Sequence, residues 1–134
     1  AVVYRLDGSN FTEVLNFSLD YQKGLASRSC VDDRGWFPWT SELPEPCFVS
    51  GSTNNVIVQP TPQLSAFEFD AGGDLILGFT DRMGNQLGFL NYPPVGQDKS
   101  YSVFTGGDIL KAGKNADGSF TIENNGTAGI YTIY

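Results

Sequence analysis

The sequence predicts an all-β domain of antiparallel strands, and three observations support this. The chain has 16 glycines, 10 phenylalanines and six tyrosines in 134 residues, a composition typical of strands and tight turns. Turn residues recur about every 8 to 12 residues. No window of about eleven residues spaces its apolar side chains as a helix does. We therefore predict one all-β module over residues 1–134, propeller-blade-like, either a partial β-propeller or a β-sandwich.

The first predicted element is a hairpin. Residues 2–6 form a short apolar strand that ends at a turn over residues 7–10, and residues 13–19 alternate apolar and polar side chains. Residues 24–51 show no sustained periodicity and hold several prolines, so we predict a long loop there. Residues 56–58 are β-branched and predict a short strand beyond the loop.

Residues 64–88 give the clearest strand prediction. Two alternating runs flank a pair of glycines, and glycine readily adopts the positive φ angles of a tight hairpin turn. The apolar members of the two runs are Phe67, Phe69, Leu75, Leu77 and Phe79. We therefore predict two antiparallel strands joined by an acidic turn and followed by a polar corner.

The remaining elements are short and separated by turn residues. Asn115–Gly118 has the Asp-Gly sequence of a hairpin turn. The strands predicted around it and before it are residues 85–92, 101–104, 108–112, 119–123 and 129–134.

The two cysteines predict a disulfide across the long loop. Cys30 and Cys47 enclose 16 residues, and a bond there stabilises by about 3 kcal/mol, mainly by restricting the unfolded chain. The alternative is a pair of buried thiols. A disulfide predicts an oxidising, secreted location.

Net charge, hydropathy and the absence of histidine argue against several classes of function. A net charge of −7 and only eight basic side chains indicate no nucleic-acid partner, which needs clustered Lys and Arg. No apolar run reaches the roughly 20 residues of a membrane span. The chain has no histidine, so the commonest general base is missing and we predict no catalysis. The enzymatic alternative is glycoside hydrolysis by two carboxylates at turns.

Several motifs occur in an order that resembles a known family. They are Trp36-Phe-Pro-Trp39, the segment 64–88 with its Asp81-Arg82 pair, Gly106-Gly-Asp-Ile-Leu-Lys-Ala112 and Glu123-Asn-Asn-Gly126. Over about residues 11–127 the chain resembles the non-repetitive, propeller-like region of large secreted bacterial surface proteins that carry SdrD B-like repeats. The resemblance implies a secreted module. A propeller needs at least about four blades of about 40 residues, so we expect this chain to be part of a longer protein or assembly.

Trp36, Phe37 and Trp39 are the candidate contact residues for a ligand or partner. If exposed, these aromatic rings form a platform for sugars or for another protein. If buried, they fix the long loop to the sheet. We expect at least one of the tryptophans to be buried.

A second set of residues predicts a structural corner. The planar donor fork of Arg82 suits a carboxylate, with Asp108 or Asp81 as the expected acceptor. Such a contact locks a corner and does no chemistry.

Acidic turns are the candidate calcium sites. Calcium takes six to eight oxygen ligands, which turn carboxylates and carbonyls supply. Asp70 with Asp74, and Asn115 with Asp117, are the candidate ligands. The alternative is that these side chains only stabilise their own turns.

The ends of the chain suggest how the module works. Residues 2–6 and 129–134 are predicted strands with few charges, and unprotected edge strands pair with other chains. We therefore predict a non-catalytic extracellular structural or adhesive module of a bacterial cell surface or fibre that self-associates or joins a larger protein. The alternative is a carbohydrate-binding or carbohydrate-hydrolysing domain that uses Trp36, Trp39 and turn carboxylates.

Overall fold

A computed structural model of the chain describes residues 1–27, 34–47, 55–93, 99–124, 127–128 and 131–132. Regular structure in these residues is almost entirely β, which confirms the predicted class. The strands are β1 (Val2–Asp7), β2 (Asn10–Asn16), β3 (Asn55–Ile57), β4 (Pro62–Phe69), β5 (Leu75–Asp81), β6 (Tyr101–Val103), β7 (Asp108–Lys114), β8 (Phe120–Ile122), β9 (Thr127–Ala128) and β10 (Tyr131–Thr132). The helix α1 (Arg82–Leu87) follows β5.

The largest sheet has four strands in the order β4-β5-β7-β8. β1 with β2, and β9 with β10, form antiparallel pairs. β3 pairs with β6 in parallel, so the prediction of purely antiparallel strands is wrong for this pair. A parallel pair needs a long crossover, and the chain between β3 and β6 supplies one. The described strands form no closed propeller.

One compact unit comprises Ala1–Leu19, Leu64–Gly78 and Ile109–Tyr134. The predicted first hairpin is present here, with a bulge between Val3 and Tyr4 and a turn at Gly8, whose φ is 63°. β2 ends at Asn16, three residues before the predicted end. The buried apolar side chains of this unit come from β2, β5, β7 and β9: Val14, Leu15, Leu75, Leu77, Leu110, Ala112 and Ala128.

The other compact unit comprises Asp20–Gln63 and Phe79–Asp108. Its core forms around Ile57 of β3, which is fully buried, together with Met83 and Leu87 of α1. Tyr101 and Val103 of β6 pack against this cluster. Helix and parallel strand pair therefore share one small apolar core.

Helix α1 lies where residues 85–92 were predicted to form a strand, and that prediction is wrong. Asp81 caps the helix by accepting the backbone N–H of Met83, and Met83 and Leu87 bury the same helix face because they are four residues apart. Gly88 ends the helix with φ 64°. Six residues are too few for helical periodicity to show in the sequence.

The predicted hairpin over residues 64–79 is confirmed as β4 and β5. Its two strands differ sharply in burial: Leu75, Leu77 and Phe79 of β5 are buried, whereas Phe67 and Phe69 of β4 are 45% and 60% exposed. Within the part of the chain that the structure describes, β5 has a neighbouring strand on each side, whereas β4 has a neighbour on one side only.

Two predictions concern residues outside the described ranges. Cys30 lies outside them, so the disulfide to Cys47 stays a prediction; the backbone N–H of Cys47 donates to the Val56 carbonyl oxygen at 2.7 Å. The predicted strand over residues 129–134 is described only at its centre, as β10. The part of the chain that the structure describes contains no helix that is long and apolar enough to cross a membrane.

Candidate functional site

The three aromatic residues of the long loop have different environments. Trp36 is partly buried, its Nε1 donates to the Tyr21 hydroxyl oxygen at 3.1 Å, and its ring centroid lies 6.1 Å from that of Phe79. The Lys23 ammonium lies 4.8 Å from the Trp36 ring centroid. The backbone N–H of Phe37 donates to the Pro60 carbonyl oxygen. Trp36 and Phe37 therefore anchor the loop.

Trp39 presents its ring to solvent. It is 61% exposed, and its Nε1 donates to the Pro62 carbonyl oxygen at 2.8 Å, which fixes the indole in place. The Arg82 guanidinium carbon lies 4.5 Å from the indole centroid, a cation–π contact. Of the two tryptophans, Trp39 is thus the one placed to meet a ligand.

A cavity of about 410 Å³ lies next to this pair. Arg82, Gln86, Met83 and Leu87 line it from α1, and the chain after Trp39 lines it with polar side chains. The other lining residues are Thr40, Ser41, Glu42, Leu43, Tyr92 and Pro93. Its volume is within the range of sites that bind small molecules, about 300 to 1,000 Å³.

The predicted corner has different partners from those expected. Asp81 accepts the backbone N–H groups of Thr61 and Met83, each at 2.9 Å, and Asp108 accepts the Tyr21 hydroxyl at 2.8 Å. Among the described residues Arg82 forms an ion pair with neither carboxylate, so the predicted fork contact is wrong. The physical reason is that Arg82 opens α1 and extends over Trp39, while Asp81 caps the helix.

The buried Asp81 carboxyl has a shifted acidity. Burial raises its pKa, and the backbone N–H donors of Thr61 and Met83 oppose this shift. One oxygen, Oδ2, has no hydrogen-bond partner among the described residues. Asp81 is thus a helix cap whose charged form is poorly solvated.

Asp70 and Asp74, one of the candidate calcium pairs, bind an ammonium group. Lys111 Nζ lies 2.7 Å from Asp70 Oδ2 and 2.9 Å from Asp74 Oδ2. The other oxygen of Asp70 accepts the backbone N–H groups of Gly72 and Asp74, and that of Asp74 accepts the N–H of Lys114. Lysine thus supplies the positive charge between these two carboxylates.

These contacts set the acidity of the turn. The hydrogen bond from Lys111 lowers the pKa of Asp70; the Lys114 backbone N–H and then Lys111 lower that of Asp74. Both carboxylates raise the pKa of Lys111. An acid held ionised is a poor proton donor near neutral pH, so this pair is badly suited to the general-acid step of glycoside hydrolysis.

Asn115 and Asp117, the other candidate calcium pair, bind within their own turn. Asn115 Nδ2 donates to the hydroxyls of Ser119 and Thr121, and Asp117 Oδ1 accepts the Ser119 N–H and hydroxyl. The Ser119 hydroxyl lowers the pKa of Asp117. Among the described residues no cluster of three or more acidic, His or Cys side chains is placed to hold a metal ion.

Exposed strands are the second candidate site. β1 exposes Val2, Tyr4 and Leu6, as the charge-poor sequence predicted. Sequence reasoning placed a strand at β4 but missed that it is an edge, and residues 63–69 are exposed throughout. The available signal was Pro62 at its first position, since proline is confined to strand starts, bulges and edge strands.

Aromatic side chains extend from β4 towards β8. The Phe67 and Phe69 rings meet edge to face at 5.8 Å between centroids, and Phe69 lies 6.0 Å from Phe120. A cavity of about 540 Å³ borders these rings and is also lined by Tyr4 and Val14. We call Phe67, Phe69 and Phe120 the phenylalanine strip.

Comparison of the chain with protein-family models, with curated proteins and with solved structures found no match.

Proposed function

We propose that the chain is a non-catalytic extracellular structural or adhesive module that associates through exposed edge strands. The observation that carries this proposal is β4, which among the described strands is an edge of the four-stranded sheet and is exposed from residue 63 to residue 69. An edge strand presents backbone N–H and C=O groups that can pair with a further strand.

The side chains of β4 favour pairing over protection. Natural edge strands are commonly blunted by charged side chains, by Pro, by a bulge or by a covering loop. β4 carries Pro at its first position and one charged residue, Glu68, and the rest of the strand exposes Leu64, Phe67 and Phe69. A partner strand beside β4 would cover these rings in addition to completing the backbone hydrogen bonds.

The proposal includes the surroundings of the module. The resemblance over residues 11–127 supports a secreted, propeller-like part of a larger bacterial surface protein, with edge strands that continue into neighbouring blades or copies. The proposal also includes the disulfide between Cys30 and Cys47 that the sequence predicts. Thiol titration of the denatured, unreduced chain should find no reactive thiol; two reactive thiols would remove this support for an oxidising location.

A charge on β4 tests the association. We expect the wild-type chain to sediment as an oligomer in analytical ultracentrifugation and Phe67→Lys to abolish that oligomer, because the variant places an ammonium group in the paired edge. Phe89→Lys is the matched control, since Phe89 is a 77% exposed phenylalanine outside the strands. A monomeric wild type, or an oligomer that Phe67→Lys leaves intact, would overturn the proposal.

A second function is favoured by a specific observation. Trp39 is exposed, is fixed by its N–H and contacts Arg82, which lines the cavity. An exposed indole lets the apolar face of a sugar pack on an aromatic ring. We therefore propose carbohydrate binding at Trp39 as the alternative. Trp39→Ala should abolish glycan-array binding while Trp36 fluorescence reports an intact fold; unchanged array binding would exclude Trp39 as the contact.

A further inference from the structure

Arg82 contacts the Trp39 ring and lines the neighbouring cavity, and its lack of an acidic partner in the described part of the chain is unusual. In a chain of net charge −7 it has no acidic partner among the described residues. The indole beneath it supplies no hydrogen-bond acceptor, so the cation–π contact leaves the guanidinium N–H donors available. Because Trp39 is itself fixed to Pro62, the guanidinium is held in place before any ligand arrives.

The cavity beside Arg82 offers the other groups that a sugar requires. Gln86 and Glu42 can accept or share hydrogen bonds with sugar hydroxyls, and Ser41 adds a hydroxyl. Leu43 and Tyr92, both exposed, supply an apolar surface for ring carbons. What distinguishes this cavity from a site for neutral sugar is the cation on its wall.

From this arrangement we infer that the cavity binds a sugar bearing a carboxylate, a terminal uronate, with Arg82 as the carboxylate ligand. A planar guanidinium binds a carboxylate through two parallel N–H···O bonds, which gives both strength and orientation. The inference rests on the proposed carbohydrate function and adds the class of sugar.

Overall charge favours a single acidic sugar over a polyanion. A chain of net charge −7 repels a long polyanion at low salt, and the Glu42 carboxylate lines the same cavity. One carboxylate that reaches Arg82 directly gains a short-range contact that outweighs this repulsion. A sulfated polysaccharide chain should therefore bind less well than a uronate-terminated disaccharide.

The test compares two disaccharides that differ in one group. Calorimetric titration of the wild-type chain with a glucuronate-terminated and a glucose-terminated disaccharide should show about tenfold tighter binding of the uronate, the effect of a charge-assisted pair. Arg82→Gln should remove this preference, since glutamine offers no cation to the carboxylate. Arg82→Lys should keep an intermediate preference, since Lys retains the charge without the fork.

Arg5→Gln is the matched control, because Arg5 is an exposed arginine paired with Asp7 and belongs to the other compact unit. It should retain the full preference. Equal affinity of the wild type for both disaccharides overturns the inference but leaves carbohydrate binding in place. No binding of either disaccharide overturns the carbohydrate function itself. Both of these outcomes are measured on the wild-type chain, so they do not depend on whether a variant folds.

Discussion

Single residues in this chain serve turns and caps more than chemistry. Asp70, Asp74 and Asp117 each accept backbone N–H groups of their own turn or of a neighbouring strand. Asp81 does the same for α1. Sequence reasoning offered Asp70, Asp74 and Asp117 as calcium ligands, with stabilisation of their own turns as the alternative, and Asp81 as an acceptor for Arg82. It missed the ammonium that contacts Asp70 and Asp74, because Lys111 lies about 40 residues away in sequence and reaches them only through the fold.

The buried Asp81 carboxyl leads us to predict that folding stability depends on pH in an unusual direction. Because burial raises its pKa in the folded state, stability associated with this group rises as the pH falls through that raised value and is lowest at neutral pH. Asp81→Asn keeps an acceptor oxygen for Thr61 and Met83. We expect it to change unfolding free energy at pH 7 by less than about 1 kcal/mol, and to lose the rise towards low pH.

Chemical denaturation of both proteins between about pH 4 and pH 7 measures this difference. Asp81→Ala is the control, since it removes the cap as well as the charge and should cost about 1 kcal/mol or more. A wild type and Asn variant with parallel pH profiles would contradict the role of burial.

Lys111→Gln should lower the melting temperature at neutral pH, because it leaves Asp70 and Asp74 without their ammonium partner. The lowered pKa values of the carboxylates place the loss of this contribution below their ordinary value of 3.8, and the raised pKa of Lys111 places its loss above 10.5. The difference from wild type should thus be constant near neutrality and disappear at both extremes. Lys99→Gln, at an exposed lysine, should melt like wild type throughout; a pH-independent difference for Lys111→Gln would contradict the ion-pair account.

Among the elements, the local hairpins could be predicted and the non-local pairings could not. The β1–β2 and β4–β5 hairpins follow from alternation around turn residues, which a short window of sequence contains. The parallel β3–β6 pair joins segments separated by a crossover, and α1 is too short for its period to show. The contact of Trp39 with Arg82 is equally non-local, so the candidate site could be predicted as residue types but not as an arrangement.

Helix α1 gives a prediction at the scale of an element. A Cβ at Gly84 would lie 1.9 Å from Thr105 Cγ2 and 3.0 Å from Thr105 Cβ. Because these distances are too short, Gly84→Ala forces α1 and Thr105 apart. We expect a loss of about 1 to 3 kcal/mol in unfolding free energy. Gly24→Ala, where a Cβ would meet nothing within 4 Å, is the control and should be nearly neutral. Equal stability of the two variants would show that α1 does not pack closely on Thr105.

At the scale of the whole molecule, charge governs how copies meet. A net charge of −7 opposes contact between identical chains, and salt screens this repulsion. If exposed apolar strands drive association, raising NaCl from about 0.02 M to about 0.3 M should strengthen it. Sedimentation of wild type at both salt concentrations measures this, with Phe67→Lys as the non-associating reference. Weaker association at high salt would indicate that ion pairs, not apolar strands, join the copies.

The parallel pair of β3 and β6 also leads to an expectation about the order in which the chain folds. Hairpins form within microseconds because their strands are adjacent in sequence, whereas Val56 can pair with Ser102 only after the intervening crossover is made. During synthesis β3 leaves the ribosome well before its partner, and Ile57, fully buried in the finished fold, stays uncovered in that interval. We therefore expect the core shared by β3, β6 and α1 to form after the local hairpins, and its apolar side chains to be exposed to aggregation while the chain is incomplete.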